Sequence, residues 1–237
     1  MLGNKTWKSS TPYSNKVNLI KNKNILSTVF AIAVDNCFFN GYNFYGRFAV
    51  KRENRTYKIV LIALFITLIT VGSFIKIPTP LVPITMQLAF CLLTGVILGG
   101  KTGAIAVIIY VIMGLIGLPV FAYGGGIYYV FKPTFGYTIA FIPATFITGI
   151  IARGADNTKT VSFWKTLIAC LIGIFIVYSI GVIYMYFILS FYLGSTISVS
   201  KAITSGCLIF LPTDILWSFS VSFLSIKLIP ILNKRLS

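Results

Sequence analysis

The sequence predicts an all-α membrane protein with six transmembrane helices and both termini in the cytoplasm. Three observations favour this fold class. The chain of 237 residues is 57% hydrophobic and only 10% charged, whereas a soluble domain is about one-quarter charged. The apolar residues are gathered into long runs, and crossing a bilayer takes about 20 apolar residues per helix. The basic residues are shared unevenly between the two ends of these runs.

Six apolar runs follow the polar N-terminal part of the chain. We expect helices at 58–77, 84–100, 103–117, 135–153, 164–190 and 202–232. Six passes bring both termini to one side, and 17 of the 20 basic residues then lie on that side. The other side receives only Lys76, Lys132 and Lys201. Because basic loops remain inside the cell, the sequence predicts a multi-pass plasma-membrane protein with both termini in the cytoplasm.

Residues 1–57 are polar and rich in lysine and asparagine. Their one long apolar stretch, Ile25 to Val34, has ten residues and is too short to span a bilayer. It is similar to the core of a signal peptide, although the region before it is unusually long for one. We therefore predict a poorly ordered or surface-lying basic leader at 1–57 and a transmembrane substrate-binding domain at 58–237.

The charge balance and the missing residue types exclude several functions. Net charge is +16, but ten of the 20 basic residues precede residue 59, and most others lie in short connections. This distribution indicates a face that meets anionic lipid, so we expect the lipid bilayer as a partner and no nucleic acid. The chain has no histidine and no C-x-x-C pair, which argues against a catalytic triad and against metal sites. We expect no enzymatic activity, no catalytic residue, no metal and no cofactor.

One segment matches the phosphate-binding loop pattern G-x-x-x-x-G-K-S/T: GVILGGKT, Gly95 to Thr102. Such a loop follows a buried strand and opens a helix whose amides face phosphate. Here the preceding residues end a membrane helix, and no acidic residue stands nearby to hold magnesium. We interpret the segment as a tight cytoplasmic turn whose Lys101 marks the inner side. The spacing of Gly95 and Gly99 would also let helices approach closely.

Two connections on the predicted outer side are rich in glycine and proline: Ile77 to Pro83 and Gly117 to Pro133. Such runs break helices, and broken backbone at membrane depth needs protein or a cavity to satisfy its polar groups. We expect a binding site between them. Aromatic residues crowd the second connection, which fits either an interfacial belt or a ligand pocket. They are Phe121, Tyr123, Tyr128, Tyr129, Phe131, Phe135 and Tyr137.

Asp214 is the only acidic residue inside any predicted helix, and it follows Pro212 in the last apolar run. A carboxylate at membrane depth costs several kcal/mol unless something pairs with it. We predict a functional role for it. The alternative is an aspartate that caps the helix started by Pro212.

Several strings together resemble the BioY family, the biotin-binding substrate-capture subunits of energy-coupling-factor (ECF) vitamin transporters. The strings are PTPLVPITMQ (Pro78 to Gln87), Y-x-x-x-G-x-x-GLPVFA (Tyr110 to Ala122), Gly124 to Gly126, KPTFGY (Lys132 to Tyr137) and FLPTD (Phe210 to Asp214). The resemblance covers about residues 58–233. It implies a six-helix fold of the ECF substrate-capture type, a biotin pocket that opens outward, biotin uptake and a prokaryotic source.

The resemblance also implies partners: a transmembrane coupling subunit and a pair of cytoplasmic ATPases. Subunits of this kind carry small residues four apart on the first helix, against which the coupling subunit packs. Ala63 and Thr67 occupy the matching positions here. Three positions depart from the family. Trp217 stands where the last motif usually has a lysine, and Lys132 and Phe135 replace glycines of G-P-T-G-G-Y.

The predicted pocket follows from the chemistry of biotin. Its ureido ring offers two N–H donors and one acceptor, and Asp214 is suited to accept from them. Gln87 and Thr85 would complete the polar set, and Trp217 would pack against the ring system. Lys132 or Lys76 would meet the carboxylate of the ligand. Tyr137, Phe121 and Gly126, from the aromatic and glycine-rich region, complete the predicted binding residues.

Two other functions remain to be weighed. A membrane-embedded enzyme acting on lipid would need clustered acidic, histidine or cysteine side chains at membrane depth, and a single aspartate is poor support for it. A capture subunit for a different vitamin on the same scaffold is left open by Trp217 and Lys132.

Overall fold

The computed structural model describes residues 53–79, 82–154, 161–192, 194 and 198–236. The predicted leader lies outside the described residues except for its last five. The described fold is helical apart from one two-stranded hairpin. Its elements are α1 (Glu53–Phe74), β1 (Lys76–Ile77), β2 (Ile84–Thr85), α2 (Gln87–Leu98), α3 (Gly100–Ile116), a 3-10 helix (Ile127–Phe131), α4 (Phe135–Arg153), α5 (Phe163–Phe187), a π turn (Ile188–Tyr192), α6 (Val199–Ile203), a π turn (Thr204–Leu208) and α7 (Leu211–Leu236).

Each of the six predicted apolar runs contains helix in the described residues. Four segments are long and apolar enough to cross a membrane: Thr56–Phe74, Phe135–Arg153, Phe163–Tyr192 and Val199–Leu232. The other two, α2 and α3, have 12 and 17 residues, or about 18 and 26 Å at 1.5 Å per residue. The described chain is therefore a helical protein with four candidate membrane spans and two shorter apolar helices.

The first helix begins and ends earlier than predicted, at Glu53 and Phe74 rather than 58 and 77. Its end is set by the hairpin that follows, in which Lys76 pairs with Thr85 and Ile77 pairs with Ile84 in antiparallel register. These strands leave no pattern in the sequence and were not predicted, because each has only two residues. Their ladder satisfies backbone groups of the proline-rich connection.

The glycine-rich segment Gly95 to Thr102 is a close helix junction. The α2 helix ends at Leu98, and α3 begins at Gly100 after the single residue Gly99, whose φ is 80°. A Cβ on Gly95 would lie 2.4 Å from the Thr145 carbonyl oxygen of α4. A Cβ on Gly100 would lie 2.6 Å from the Phe146 carbonyl oxygen. The two glycines of the loop pattern are thus explained by backbone packing against α4, as expected for small residues between membrane helices.

Helix α4 packs against α2, α3 and α5, and α7 packs against α5 and α2. The helix predicted at 202–232 lies within one candidate membrane span, Val199–Leu232, but it is not regular throughout: α6, a π turn and two turn residues precede α7 at Leu211. Pro212 lies in the first turn of α7, where its missing N–H costs no helical hydrogen bond. The break therefore separates α6 from α7 just before Asp214.

Candidate functional site

The ends of several helices and the two broken connections enclose a cavity of about 60 Å³. Its walls come from the hairpin, α2, the second connection, α4, α5 and the start of α7. The residues that line it are Val82, Pro83, Ile84, Thr85, Gln87, Leu88, Ala122, Tyr129, Thr134, Tyr137, Thr138, Phe141, Val177, Tyr178, Phe210 and Asp214. The lining is mostly apolar with a few polar groups, which is the composition of a small-molecule site.

Asp214 is buried at 6% exposure and lines this cavity. Tyr178 of α5 donates a hydrogen bond from its hydroxyl to Oδ2 of Asp214. The aspartate lies in the first turn of α7, where the positive end of the helix dipole stabilises a negative charge. Its amide bonds to the Phe210 carbonyl at 3.0 Å, so the residue is inside the helix and is not its N-cap. The capping interpretation from the sequence does not describe this geometry.

Tyr137 joins α4 to the break between α6 and α7. Its hydroxyl donates to the Gly206 carbonyl at 2.8 Å, and its ring lines the cavity. A Cβ on Gly206 would lie 2.6 Å from the Tyr137 hydroxyl, so the contact depends on the glycine. The hydroxyl is therefore engaged with backbone, and the ring is the part of Tyr137 offered to a ligand.

Gln87 begins a chain of buried hydrogen bonds that holds the second connection onto the helices. Its Nε2 donates to the Tyr110 hydroxyl at 3.0 Å, and that hydroxyl donates to the Val120 carbonyl at 2.9 Å. Ser73 of α1 donates to the same carbonyl at 2.6 Å. Because the amide nitrogen is engaged, the Oε1 of Gln87 is the end of the side chain suited to accept from a ligand. Thr85, half-buried on β2, adds a hydroxyl to the same wall.

Two lysines lie beside the cavity without lining it. Lys76 donates to the Ala122 carbonyl and holds its Nζ 4.7 Å from the ring centroid of Tyr123. Lys132 donates to the Tyr123 carbonyl at 3.1 Å, with its Nζ 5.0 Å from the ring centroid of Tyr129. Burial raises the pKa of the Tyr129 phenol. The Tyr129 side chain, which lines the cavity next to Lys132, is therefore uncharged.

The structure brings together half of the predicted binding residues. Four of them line this cavity: Asp214, Gln87, Thr85 and Tyr137. The other four lie outside its lining: Phe121, Gly126, Lys132 and Trp217.

The ring of Phe121, 1% exposed, packs against the rings of Tyr110 and Tyr129 at 5.5 and 4.5 Å. The Gly126 amide donates to the Gly114 carbonyl at 2.7 Å. Trp217 is half-buried on α7 and packs against the core.

Sequence reasoning missed Tyr178, Thr134, Thr138 and Phe210, which also line the cavity. Tyr178 is 36 residues from Asp214 in the chain, and no spacing rule connects positions on different helices. Thr134 and Phe210 lie within motifs quoted for the family resemblance, KPTFGY and FLPTD, so their motif membership was the available signal.

The sequence and the fold were compared with those of known proteins. The sequence model of the BioY family matches residues 48–234. The chain belongs to the BioY family. The probable biotin transporter BioY of Lysinibacillus sphaericus is 41% identical over 155 residues, 65% of this chain and 78% of that protein. The biotin transporter BioY of Thermotoga maritima is 35% identical over 172 residues, 72% of this chain and 95% of that protein.

A crystal structure of the S-component for biotin from an ECF-type ABC transporter superposes with a TM-score of 0.66 at 26% identity. The match covers 76% of this chain and 94% of the other. The predicted family is thereby confirmed, as is the prediction of a multi-pass transport protein rather than an enzyme.

Proposed function

We propose that this protein captures biotin at the outer face of a prokaryotic plasma membrane and carries it inward as the substrate-capture subunit of an ECF transporter. A separate transmembrane coupling subunit and a pair of cytoplasmic ATPases supply the energy. The observation that carries this proposal is the buried Asp214 in a mostly apolar cavity, in a chain of the BioY family. The relatives come from bacteria such as Thermotoga maritima and from Pyrococcus horikoshii.

The polar groups of the cavity match a ureido ring. Asp214 accepts from Tyr178 through Oδ2, which leaves Oδ1 to accept an N–H of the ligand. The Oε1 of Gln87 accepts the second N–H, and the Thr85 hydroxyl donates to the ureido carbonyl. The rings of Tyr137, Tyr129 and Phe141 cover the apolar faces of the bicyclic system.

The cavity must widen to admit a ligand. Its volume of about 60 Å³ is below the roughly 300–1,000 Å³ of occupied ligand pockets. A contact of Trp217 with the ligand ring would also require such a change, since Trp217 lies outside the present lining. Phe121 and Gly126 act on the pocket through Tyr129 and the backbone of the second connection.

The proposal includes six membrane passes with both termini in the cytoplasm. Helices α2 and α3 are joined by Gly99 alone, and a Cβ on Gly103 of α3 would lie 2.9 Å from the Cα of Gly95 of α2. The two helices therefore fold back on each other, which supports a pair that enters and leaves the membrane on the same side. The short α2 begins at Gln87, directly after the hairpin. In this proposal the polar cavity lies below the outer surface of the membrane, where protein satisfies the broken backbone, and Lys76 of the hairpin lies at that surface.

The coupling subunit packs against α1 in this proposal. One face of α1 contributes Leu61, Phe65 and Ile69 to the core, while Ala63 and Thr67 are exposed. The Thr67 hydroxyl bonds back to the Ala63 carbonyl at 3.0 Å, which removes a polar group from the surface offered to a partner helix. Small exposed residues four apart allow close helix approach.

Equilibrium binding to the purified protein in detergent tests the substrate. We expect biotin to bind at least about a hundredfold more tightly than thiamine or riboflavin, because neither of these carries a ureido group with two N–H donors. Identification of the ligand that co-purifies with the protein checks the same point. A preference for another vitamin would replace biotin with that vitamin on the same scaffold. Equal weak binding of all three would overturn the proposed function.

A further inference from the structure

We propose that Lys76 and Lys132 form a docking pair for a carboxylate at the rim of the cavity. The site would thereby select ligands with N–H donors at one end and an anionic group at the other. This inference rests on the proposed function and adds to it the orientation of the ligand and the selection of its charge.

The two lysines come from different connections and meet at one tyrosine. Lys76 belongs to β1, and Lys132 follows the 3-10 helix. Their Nζ atoms lie 4.7 and 5.7 Å from the ring centroid of Tyr123. Each side chain is exposed and is held by a backbone carbonyl, that of Ala122 for Lys76 and that of Tyr123 for Lys132. The tertiary fold thus places two positive charges within 5.7 Å of the centroid of the same ring, that of Tyr123.

Both ammonium groups retain unused donors. An ammonium carries three N–H donors, and among the described residues each lysine makes one hydrogen bond. Asp214 is the only acidic residue in the described part of the chain after Glu53, and its carboxylate is bonded to Tyr178. The lysine pair is therefore suited to donate hydrogen bonds to a carboxylate from outside the chain.

The pair adjoins the cavity on two sides. Ala122, whose carbonyl binds Lys76, lines the cavity, and so does Tyr129, whose ring lies beneath Lys132. The cavity wall carries the carboxylate of Asp214, and its lining contains no lysine or arginine. A ligand carboxylate is repelled by Asp214 and attracted to the rim, whereas N–H donors are attracted to Asp214. The charges consequently favour a single orientation, with the donor end inward.

A purely structural role for the lysines makes a different prediction. If their bonds to the carbonyls of Ala122 and Tyr123 only hold the second connection in place, replacing them weakens every ligand alike. A docking pair instead weakens only ligands that carry the negative charge. A charged ligand and its neutral ester therefore separate the two roles.

The experiment measures the affinity of the purified full-length protein for biotin and for biotin methyl ester. We expect wild type to prefer biotin by about tenfold or more, the effect of a charge-assisted hydrogen bond. The double variant Lys76→Met/Lys132→Met should lose about tenfold for biotin and less than about twofold for the ester. Lys76→Arg/Lys132→Arg, which keeps both charges, should retain a preference for biotin. Lys101→Met, at the junction of α2 and α3, is the matched control and should bind both ligands as wild type does.

Two results would overturn the docking pair while leaving the proposed function intact. One is equal affinity of wild type for biotin and its ester. The other is an equal loss for both ligands in the double methionine variant, which would assign the lysines a structural role. If wild type binds neither compound, the proposed function fails and the docking pair fails with it.

Discussion

Tyr137 on α4 donates its hydroxyl to the carbonyl of Gly206, 2.8 Å away and 69 residues later in the chain. Around Gly206 the helix is a π turn, and the Phe210 amide bonds to the Cys207 carbonyl, three residues back. The tyrosine hydroxyl thus supplies a partner to backbone at a helix break, as membrane proteins require where water is absent. It also ties α4 to the turn that precedes Asp214.

Tyr137→Phe should lower both stability and ligand binding. The change leaves the Gly206 carbonyl without its partner, at a cost of about 1–3 kcal/mol for a buried polar group. Thermal unfolding in detergent and biotin titration measure the two effects. Tyr186→Phe on α5, a half-buried tyrosine, serves as control and should change neither. Wild-type stability of Tyr137→Phe would show that the contact does not hold the break.

Asp214→Asn should weaken biotin binding by about ten- to a hundredfold, whereas Asp214→Glu should retain part of it. The amide offers a donor where the ligand N–H needs an acceptor, so that a buried donor is left unpaired at about 1–3 kcal/mol. Glutamate keeps the charge and moves it by one methylene. Isothermal titration of each purified variant gives the comparison. Binding of Asp214→Asn at the wild-type level would remove Asp214 from the site.

Trp217→Lys restores the residue that the family usually has at this position, so it tests the departure directly. Trp217 is half-buried and outside the cavity lining. If the site takes biotin despite the departure, we expect the lysine to be tolerated or to improve affinity. Titration with biotin and with thiamine measures both affinity and preference. A switch of preference from another vitamin to biotin would show that Trp217 had changed the substrate.

Ala63→Leu or Thr67→Leu should weaken assembly with the coupling subunit and leave biotin binding intact. Leucine adds bulk to an exposed face of α1 and prevents close approach of a partner helix. Co-purification with the coupling and ATPase subunits measures assembly, and titration of the isolated subunit measures binding. Ser220→Leu makes a similar increase in bulk on an exposed part of α7 and should assemble normally. Normal assembly of both α1 variants would place the partner elsewhere.

Gly149→Ala should destabilise the protein strongly. A Cβ at this position would lie 2.4 Å from the Gly100 nitrogen and 2.5 Å from the Gly95 carbonyl oxygen. Both are backbone atoms, so the helices themselves must separate; overpacking of this kind costs typically about 1–3 kcal/mol. Ile139→Ala, on an exposed part of the same helix, is the control. Thermal unfolding of the two variants in detergent measures the effect. An unchanged unfolding midpoint for Gly149→Ala would mean that α4 does not pack tightly against the junction of α2 and α3.

Several elements followed from sequence alone because they depend on local composition. Each apolar run corresponds to helix in the described residues, and the end of α4 at Arg153 agrees with the prediction. The break before Asp214 was not predicted, since the residues 202–211 are apolar enough to read as one helix. Whether such a run forms a regular or an interrupted helix depends on the side chains that pack against it, here Tyr137 of α4, which bonds to the Gly206 carbonyl. Contacts with residues on other helices leave no pattern in the local sequence.

The sequence by itself determined the class of the molecule and its family, and it predicted a role for Asp214, because hydrophobicity, charge asymmetry and motif order are properties of the chain read in one dimension. Only the tertiary structure decided which groups surround that aspartate. It placed Tyr178 on the carboxylate and Lys76 beside Lys132 on one tyrosine ring. It also showed that Gly95 and Gly100, which match the phosphate-binding loop pattern, pack against the backbone of α4. These outcomes depend on distances between residues far apart in the chain, which are set when helices pack and not by local sequence.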